Sequence, residues 1–223
     1  MPVCKYCSKD FRKESTLSSH MCPKKRRVTD KDSVGSRMGF RVFQRFYELT
    51  TNSKKVKTFD DFIDSKYYIA FVKFGRHLVE LDPINCNDFV DFVIKNGVKL
   101  NDWSKDYVYE TYLEDYMRRE PPDRALERTI IFLNKWGTDN DCAYSDFFRL
   151  ATPSEAAYFI KTGKVSPWVL YLSASADTMW DKFNDEQYAM IETIINPGVW
   201  KARIMKNAED KEFIAGALEA AGL

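Results

Sequence analysis

Residues 58–81 read TFDDFIDSKYYIAFVKFGRHLVEL, and this stretch carries the clearest helical pattern in the chain. Thr58 is a typical N-cap residue, and Asp61 stands three positions later, where its carboxylate can complete a capping box. No part of the stretch alternates between polar and apolar residues for long enough to favour a β-strand. The stretch therefore predicts a helix that begins after Thr58.

Further helix starts lie on the C-terminal side of this stretch. The sequence TPSE at residues 152–155 places a proline at the first helical position and an acidic residue two positions later. Asn184 and Asn207 each precede an acidic run, as helix N-caps do. Short breaks that contain proline separate the helical segments, at residues 121–122, 166–167 and 196–198. We therefore predict an all-α body of eight to ten short helices.

The composition supports a helical body with an aromatic core, because the 223 residues include 16 Phe, 12 Tyr and 5 Trp but only 9 Gly and 8 Pro. The net charge of +1 conceals an asymmetry. Residues 1–60 contain fifteen Lys or Arg and six Asp or Glu, whereas residues 61–223 contain nineteen and twenty-seven. A basic head and an acidic body indicate different partners, unless the head simply docks on the body.

A short module with a different pattern precedes the helical body. It begins with a C-x2-C pair, and twelve residues separate the second cysteine from a histidine. Residues 3–22 resemble the Cys2His2 zinc finger in these spacings and in both apolar core positions. The positions that match are Cys4, Cys7, Phe11, Leu17 and His20. The resemblance implies a small N-terminal ββα-type zinc finger, which needs a metal because so short a module buries too little apolar surface to fold alone.

The fourth ligand departs from the zinc-finger pattern, because Cys22 follows His20 by only two positions. On a continuous helix these two side chains would point about 200° apart. Pro23 disfavours helical geometry at Cys22, so we predict a short helix over residues 13–20 that ends before this cysteine. The predicted site binds one structural Zn²⁺ through Cys4, Cys7, His20 and Cys22. The alternative is a set of buried thiols beside a surface histidine.

The basic sequence PKKRRV at residues 23–28 has three interpretations. It resembles a nuclear localisation signal, it could be a solvated linker, or it could form a phosphate clamp together with the cations on either side. We favour the clamp, which predicts sequence-independent nucleic-acid binding, since one finger covers only about three base pairs. The predicted nucleic-acid-binding residues are Lys13, Lys24, Lys25, Arg26 and Arg27. The predicted domains are a zinc finger with a basic tail (1–27), a linker (28–36) and a helical domain (37–223).

Candidate catalytic groups are few in the sequence. His77 is the only histidine outside the finger, and Cys86 and Cys142 have no histidine near them in sequence. Pairs of carboxylates three residues apart could hold the metal of a nuclease, but such pairs more often complement helix dipoles. The acidic clusters are Asp60, Asp61 and Asp64; Asp88 and Asp91; Glu114 and Asp115. We therefore predict a non-enzymatic protein without a small-molecule substrate, with a metal-dependent nuclease as the least improbable activity.

The stretch SPWVLYLSASADTMW at residues 166–180 is the most apolar part of the body. Its first interpretation is the central helix of the core. The alternative is that Trp168, Tyr171 and Trp180 contribute to a surface that binds a partner protein.

The expected compartment follows from the cysteines and from two missing signals. Five cysteines, three of them at metal-ligand spacing, favour a reducing environment, and we expect neither a secretory signal nor a membrane span.

The sequence VGSRMGFRVFQRFYELTT at residues 34–51, directly after the finger and its basic residues, is similar to uncharacterised zinc-finger proteins of large tailed bacteriophages. An intracellular, soluble protein is expected, in the host cytoplasm if a phage encodes it and in the nucleus if a eukaryote does.

Together these features predict a zinc-binding factor that associates with nucleic acid through its basic head. Its helical body would then bind a protein of the transcription or replication machinery. The alternative function is a protein-interaction adaptor or structural component whose zinc finger docks on a protein surface.

Overall fold

A computed structural model describes residues 1–51 and 55–223, and these ranges confirm the all-α prediction. They contain fifteen α-helices, three short 3₁₀ turns and no β-strand. The helices are α1 (Glu14–Ser19), α2 (Pro23–Thr29), α3 (Val34–Thr50), α4 (Phe59–Asp64), α5 (Tyr68–Leu81), α6 (Cys86–Lys95), α7 (Asp106–Arg119), α8 (Pro122–Asp139), α9 (Phe147–Leu150), α10 (Pro153–Lys161), α11 (Pro167–Leu172), α12 (Asp177–Trp180), α13 (Asp185–Ile195), α14 (Pro197–Lys206) and α15 (Ala208–Ala220).

The predicted ββα finger is not supported. Among the described residues, extended pairing is limited to one isolated antiparallel bridge between Val3 and Asp10. A turn at residues 5–7 lies between the two bridge partners and no strand forms, so the N-terminal module consists of a turn followed by a helix.

The body contains more helices than predicted, with thirteen from residue 34 onward in the described ranges. Residues 58–81 show why, because they form α4 and α5 rather than one helix. The capping box at Thr58 is present, with the Thr58 N–H donating to the Asp61 carboxylate at 2.8 Å and the Asp61 N–H donating to the Thr58 hydroxyl at 3.2 Å. Helix α4 ends because Ser65 is extended, at φ −63° and ψ 135°.

Other predicted helix starts are confirmed. Thr152 caps α10 with Pro153 at the first helical position, and Asn184 forms a capping box with Gln187 at the start of α13. Asn207 precedes α15 but makes no side-chain cap. Each of the three proline-containing breaks begins a helix, namely α8, α11 and α14.

The chain forms two compact units, of which the first is Met1–Val108. Its centre is the crossing of α3 and α5, where a Cβ atom on Gly75 would lie 2.4 Å from the Gly39 nitrogen and 2.6 Å from the Gly35 carbonyl oxygen. This distance leaves no room for a side chain, so the two helix backbones are in direct contact. Buried aromatic rings fill the space around the crossing: Phe43, Phe62, Phe71, Phe74, Phe89 and Trp103.

The second unit, Tyr109–Leu223, has its own buried core. Phe147 packs edge-on against Trp136, with ring centroids 5.0 Å apart. A largely buried ion pair joins Arg128 to Glu120 through two hydrogen bonds of 2.8 and 2.9 Å, and the guanidinium also donates to backbone carbonyls at residues 163 and 164. These carbonyls supply the additional partners that a buried charge pair requires.

The predicted division into residues 1–27, 28–36 and 37–223 stays a prediction. The segment predicted as a linker contains the end of α2 and the start of α3. Gly35 and Ser36 are buried, and the Ser33 hydroxyl accepts the Ser36 N–H as the N-cap of α3.

Candidate metal centre

The first two candidate ligands lie on the N-terminal turn. The Cys4 N–H donates to the Lys9 carbonyl at 2.9 Å, and the Ser8 N–H donates to the Cys4 carbonyl at 2.8 Å. Ser8 adopts a left-handed conformation with φ 57°, which closes the turn. Cys4 and Cys7 are thereby held on the same short loop, as a C-x2-C metal ligand pair requires.

The other two ligands flank the helix break that the sequence predicts. Helix α1 begins after Lys13 and has His20 as its C-cap, which confirms the predicted short helix. His20 and Cys22 are both extended, with ψ values of 125° and 162°. Because Pro23 follows directly, Cys22 cannot continue α1 and instead becomes the N-cap of α2.

The four predicted ligands converge on one point. Their ligand atoms, three Sγ and one imidazole nitrogen, all lie within 4.8 Å of one another. The Cys7 Sγ and the His20 Nε2 are 3.3 Å apart. Ligand atoms around a tetrahedral zinc ion stand roughly 3.5–3.8 Å from each other. Cys4, Cys7, His20 and Cys22 could therefore hold a metal ion if the widest separations between their ligand atoms close by up to about 1 Å.

Backbone donors surround the three sulfur atoms. The N–H groups of Tyr6 and Cys7 donate to the Cys4 sulfur and hold the pKa of Cys4 below its ordinary value. The Lys9 N–H lowers the pKa of Cys7, but partial desolvation and the neighbouring sulfurs outweigh it and leave this pKa raised. The third sulfur, Cys22 Sγ, accepts the Lys25 N–H at 3.4 Å. Such donors stabilise thiolates, which are the form that binds metal.

The apolar part of the module is small. Its buried side chains are Cys4, Phe11 and Cys22, with Tyr6 and Leu17 packed against them. The Phe11 ring also contacts the His20 imidazole, at a centroid distance of 4.7 Å. Both apolar positions shared with zinc fingers, Phe11 and Leu17, thus support the metal ligands directly. We call residues 1–22 the metal module.

The four consecutive cations lie in helix α2, which the sequence analysis did not predict. Lys24 pairs with Asp64 of α4 at 2.7 Å. Arg27 donates to the carbonyls of Ile63 and Ser65, and its guanidinium lies 4.6 Å from the Tyr68 ring centroid. Pro23 at the first helical position is typical of a helix start, and this proline could have predicted α2 from the sequence.

The remaining predicted nucleic-acid-binding residues are placed differently. Lys25 donates to the His20 carbonyl at 3.0 Å and so supports the end of α1. Lys13 and Arg26 are exposed, and neither makes an ion pair with the described part of the chain. The positive charge is therefore divided between contacts within the fold and groups open to solvent.

Several carboxylates of the acidic clusters considered for catalysis interact with other groups. Asp61 caps α4, and Asp91 accepts two hydrogen bonds of 2.6 Å from Arg45. Glu114 and Asp115 pair with arginines one helical turn away. Within residues 1–51 and 55–223, the Cys3His set is the one group of three or more potential ligands close enough to share a metal.

The other candidate nucleophiles stand apart from any such group. His77 is half-buried beside Phe74, with no hydrogen-bond partner at Nε2, and burial lowers its pKa. Cys86 and Cys142 are partly buried thiols without a disulfide.

Comparisons with known proteins add no family assignment. The chain matches no protein-family model, no curated protein and no solved structure at a significant level, so the similarity to bacteriophage proteins receives no support from them. Among the described residues, no helix combines the length and apolar character needed to cross a membrane.

Proposed function

We propose that the Cys3His group binds one Zn²⁺ and that the ion is structural. The observation that carries this proposal is the convergence of four ligand atoms within 4.8 Å. Three thiolates and one imidazole suit zinc in a tetrahedral site. With all four positions filled by protein, no open position is left for water or substrate, which is the arrangement of structural rather than catalytic zinc.

The zinc would fix the start of α2. Cys22 is both a ligand and the N-cap of this helix, so the ion joins the Cys4–Cys7 turn to the end of α1 and the beginning of α2. Lys24 and Arg27 then attach α2 to α4. Metal binding would thus be coupled to the position of the basic helix.

We further propose that the basic head associates with nucleic acid without sequence specificity. Lys13 and Arg26 are the best placed of the predicted contacts, because Lys24 and Arg27 already interact with α4 and Lys25 donates to the His20 carbonyl. Other exposed cations of the module, Lys5, Lys9 and Arg12, add to the same positive region. Phosphate contacts of this kind weaken steeply as salt is raised.

The test is a binding titration of the full chain with a random-sequence DNA duplex and a single-stranded RNA at several salt concentrations. We expect the double variant Lys13→Gln with Arg26→Gln to bind more weakly. The slope of log affinity against log salt concentration should become shallower by about two, as expected for the loss of two phosphate contacts. Lys211→Gln, an exposed cation of α15, is the matched control and should change neither. Binding that is absent at low salt, or equally tight at all salt concentrations, would contradict the proposal.

A second candidate function is a protein-interaction adaptor or structural component whose zinc module docks on a protein. The contacts of Lys24 and Arg27 with the region of α4 favour this second function, because they leave these cations less available to phosphate. This function predicts no nucleic-acid binding at physiological salt and one dominant protein recovered with the chain. In the first candidate, the helical body would bind a protein of the transcription or replication machinery.

A further inference from the structure

A cleft in the second unit shares no lining residue with the metal module or with the predicted phosphate contacts. Its volume is about 720 Å³, and helices α11 to α14 supply its walls. Cavities of this size accommodate small ligands or a few residues of a peptide. Two kinds of side chain characterise the cleft, aromatic rings and carboxylates.

The aromatic walls offer ring surfaces rather than hydroxyl groups. The rings of Trp180 and Tyr188 are parallel within 8°, with centroids 6.3 Å apart, and Tyr171 lies 6.1 Å from Trp180. The Tyr188 hydroxyl donates to the Trp180 carbonyl at 2.9 Å, and the Tyr171 hydroxyl donates to the Ile195 carbonyl at 2.6 Å. Because both hydroxyls already donate to backbone, a ligand would meet mainly the rings.

The carboxylates of the cleft lack cationic partners. Asp177, Asp185 and Glu192 are exposed, and none of them forms an ion pair with the described residues. Lys201 is the one cation of the lining, so three negative groups face one positive group. Asp177 and Asp185 complement the first turns of their helices, but Glu192 lies two turns into α13, where the helix dipole gives no reason for it.

The same unit already shows how it binds a cation against indole rings. The Arg203 guanidinium lies 5.8 Å from the Trp168 ring centroid and 5.0 Å from that of Trp200. In the described part of the chain, no Lys or Arg covers the rings of Tyr171, Trp180 or Tyr188. These rings, next to unpaired carboxylates, make an environment that is complementary to an organic cation.

We propose that the cleft binds a basic segment of a partner protein, with an Arg or Lys side chain against Trp180 and Tyr188 and its charge near Glu192. The volume exceeds that of one side chain, which favours a segment over an isolated cation. The inference rests on the protein-binding half of the proposed function and names the chemistry of the partner. Residues 166–180 have the alternative interpretation of a partner-binding surface. The proposal places two of its aromatic residues, Tyr171 and Trp180, in the cleft, whereas Trp168 is buried in the core.

The test uses the full chain and an acetylated, amidated six-residue peptide that alternates glycine with arginine. Nuclear magnetic resonance should show shifts of the Trp180 indole N–H and of amides in residues 185–201 as the peptide is added. A peptide that alternates glycine with glutamate should produce none. Arginine amide alone should bind at least tenfold more weakly, whereas equal affinity would mean a small-cation site and overturn the proposal.

Variants separate the cleft from general charge effects. Glu192→Gln should weaken binding about three- to fivefold, as expected for the loss of one exposed ion pair, and Asp177→Asn with Glu192→Gln more than tenfold. Glu186→Gln removes an exposed carboxylate from the same helix outside the cleft and should leave affinity unchanged. Equal affinity for Glu192→Gln and the unaltered chain would overturn the proposal, as would shifts that depend on protein concentration without peptide, which would indicate a second copy.

Peptide binding in the cleft can be tested separately from zinc binding and nucleic-acid binding. Cys22→Ala should bind the arginine peptide as tightly as the unaltered chain, because no ligand of the metal lies in the cleft. Failure of the peptide to bind would leave zinc binding and phosphate binding standing. Loss of zinc or nucleic-acid binding would leave the cleft unaffected.

Discussion

The metal module and the crossing of α3 and α5 lie in the same unit but depend on different sources of stability. In the module, the buried side chains are Cys4, Phe11 and Cys22, and its helix α1 contains no buried residue. Around the crossing, six large aromatic side chains are fully or almost fully buried. We therefore expect the module to need a metal to remain folded, whereas the helix crossing is stabilised by apolar burial and close backbone contact.

Removal of the metal should produce the largest difference between the metal module and the helix crossing. In chelator, or in Cys22→Ala, we expect amides such as those of Cys4, Ser8 and Phe11 to lose protection from hydrogen exchange while α3 and α5 keep theirs. Structural zinc contributes about 10–16 kcal/mol in isolated finger peptides, far more than this small apolar cluster can replace. Hydrogen exchange with mass spectrometry measures the effect. Cys142→Ala is the control, and unchanged protection in Cys22→Ala would show that the module folds without the ion.

The helix crossing offers the next largest effect. Gly75→Ala should lower the free energy of unfolding by about 3 kcal/mol, because the new Cβ would meet backbone atoms of α3 at 2.4 and 2.6 Å. Gly216→Ala, in α15, is the matched substitution in open space and should raise that free energy by about 0.5–1 kcal/mol. Denaturant titrations compare the two. Equal effects of both substitutions would contradict direct backbone contact at the crossing.

Helix α2 links the two regions, and its arginines should behave differently. Arg27→Ala should cost about 1–2 kcal/mol of unfolding free energy, since it removes donors to the Ile63 and Ser65 carbonyls and a cation over Tyr68. Arg26→Ala should change it by less than about 0.5 kcal/mol, because Arg26 is exposed. If the two variants were equally stable, α2 would not be held on α4 by Arg27.

The smallest expected effect concerns Asp91, whose pKa is held below its ordinary value chiefly by Arg45. A carboxylate with a lowered pKa in the folded state adds stability above its unfolded pKa and loses it as the pH falls through the folded pKa. Asp91→Asn should therefore cost about 1 kcal/mol at pH 7, and the difference should shrink below about pH 4. Unfolding titrations across pH measure it, and a difference independent of pH would contradict the ion pair.

Local signals in the sequence predicted a large part of this structure. Pro23 acts on the residue beside it, so the break that places Cys22 among the ligands could be predicted without tertiary information. The caps at Thr58, Thr152 and Asn184 are local in the same way. These features cover the all-α class and the four members of the candidate metal site.

The prediction of a helix over residues 58–81 is wrong in one respect, because the helix is divided, and the contact involved is distant in sequence. Residues 58–81 contain no proline and only one glycine, yet the helix is interrupted at Ser65. Arg27, almost forty positions away in the sequence, donates hydrogen bonds to the carbonyls of Ile63 and Ser65 at this interruption. The same contact turns the predicted basic tail into part of the fold. Sequence spacing cannot reveal such a pairing, because it exists only when α2 and α4 meet.

The most direct test of the metal centre is the zinc content of the full chain, purified without a metal-affinity tag and measured by native mass spectrometry. We expect one zinc per chain, lost in Cys22→Ala and retained in Cys86→Ala and Cys142→Ala, whose thiols lie outside the group. A full complement of zinc in Cys22→Ala, or no metal in an unaltered chain whose first 22 residues remain protected, would contradict a Cys3His centre.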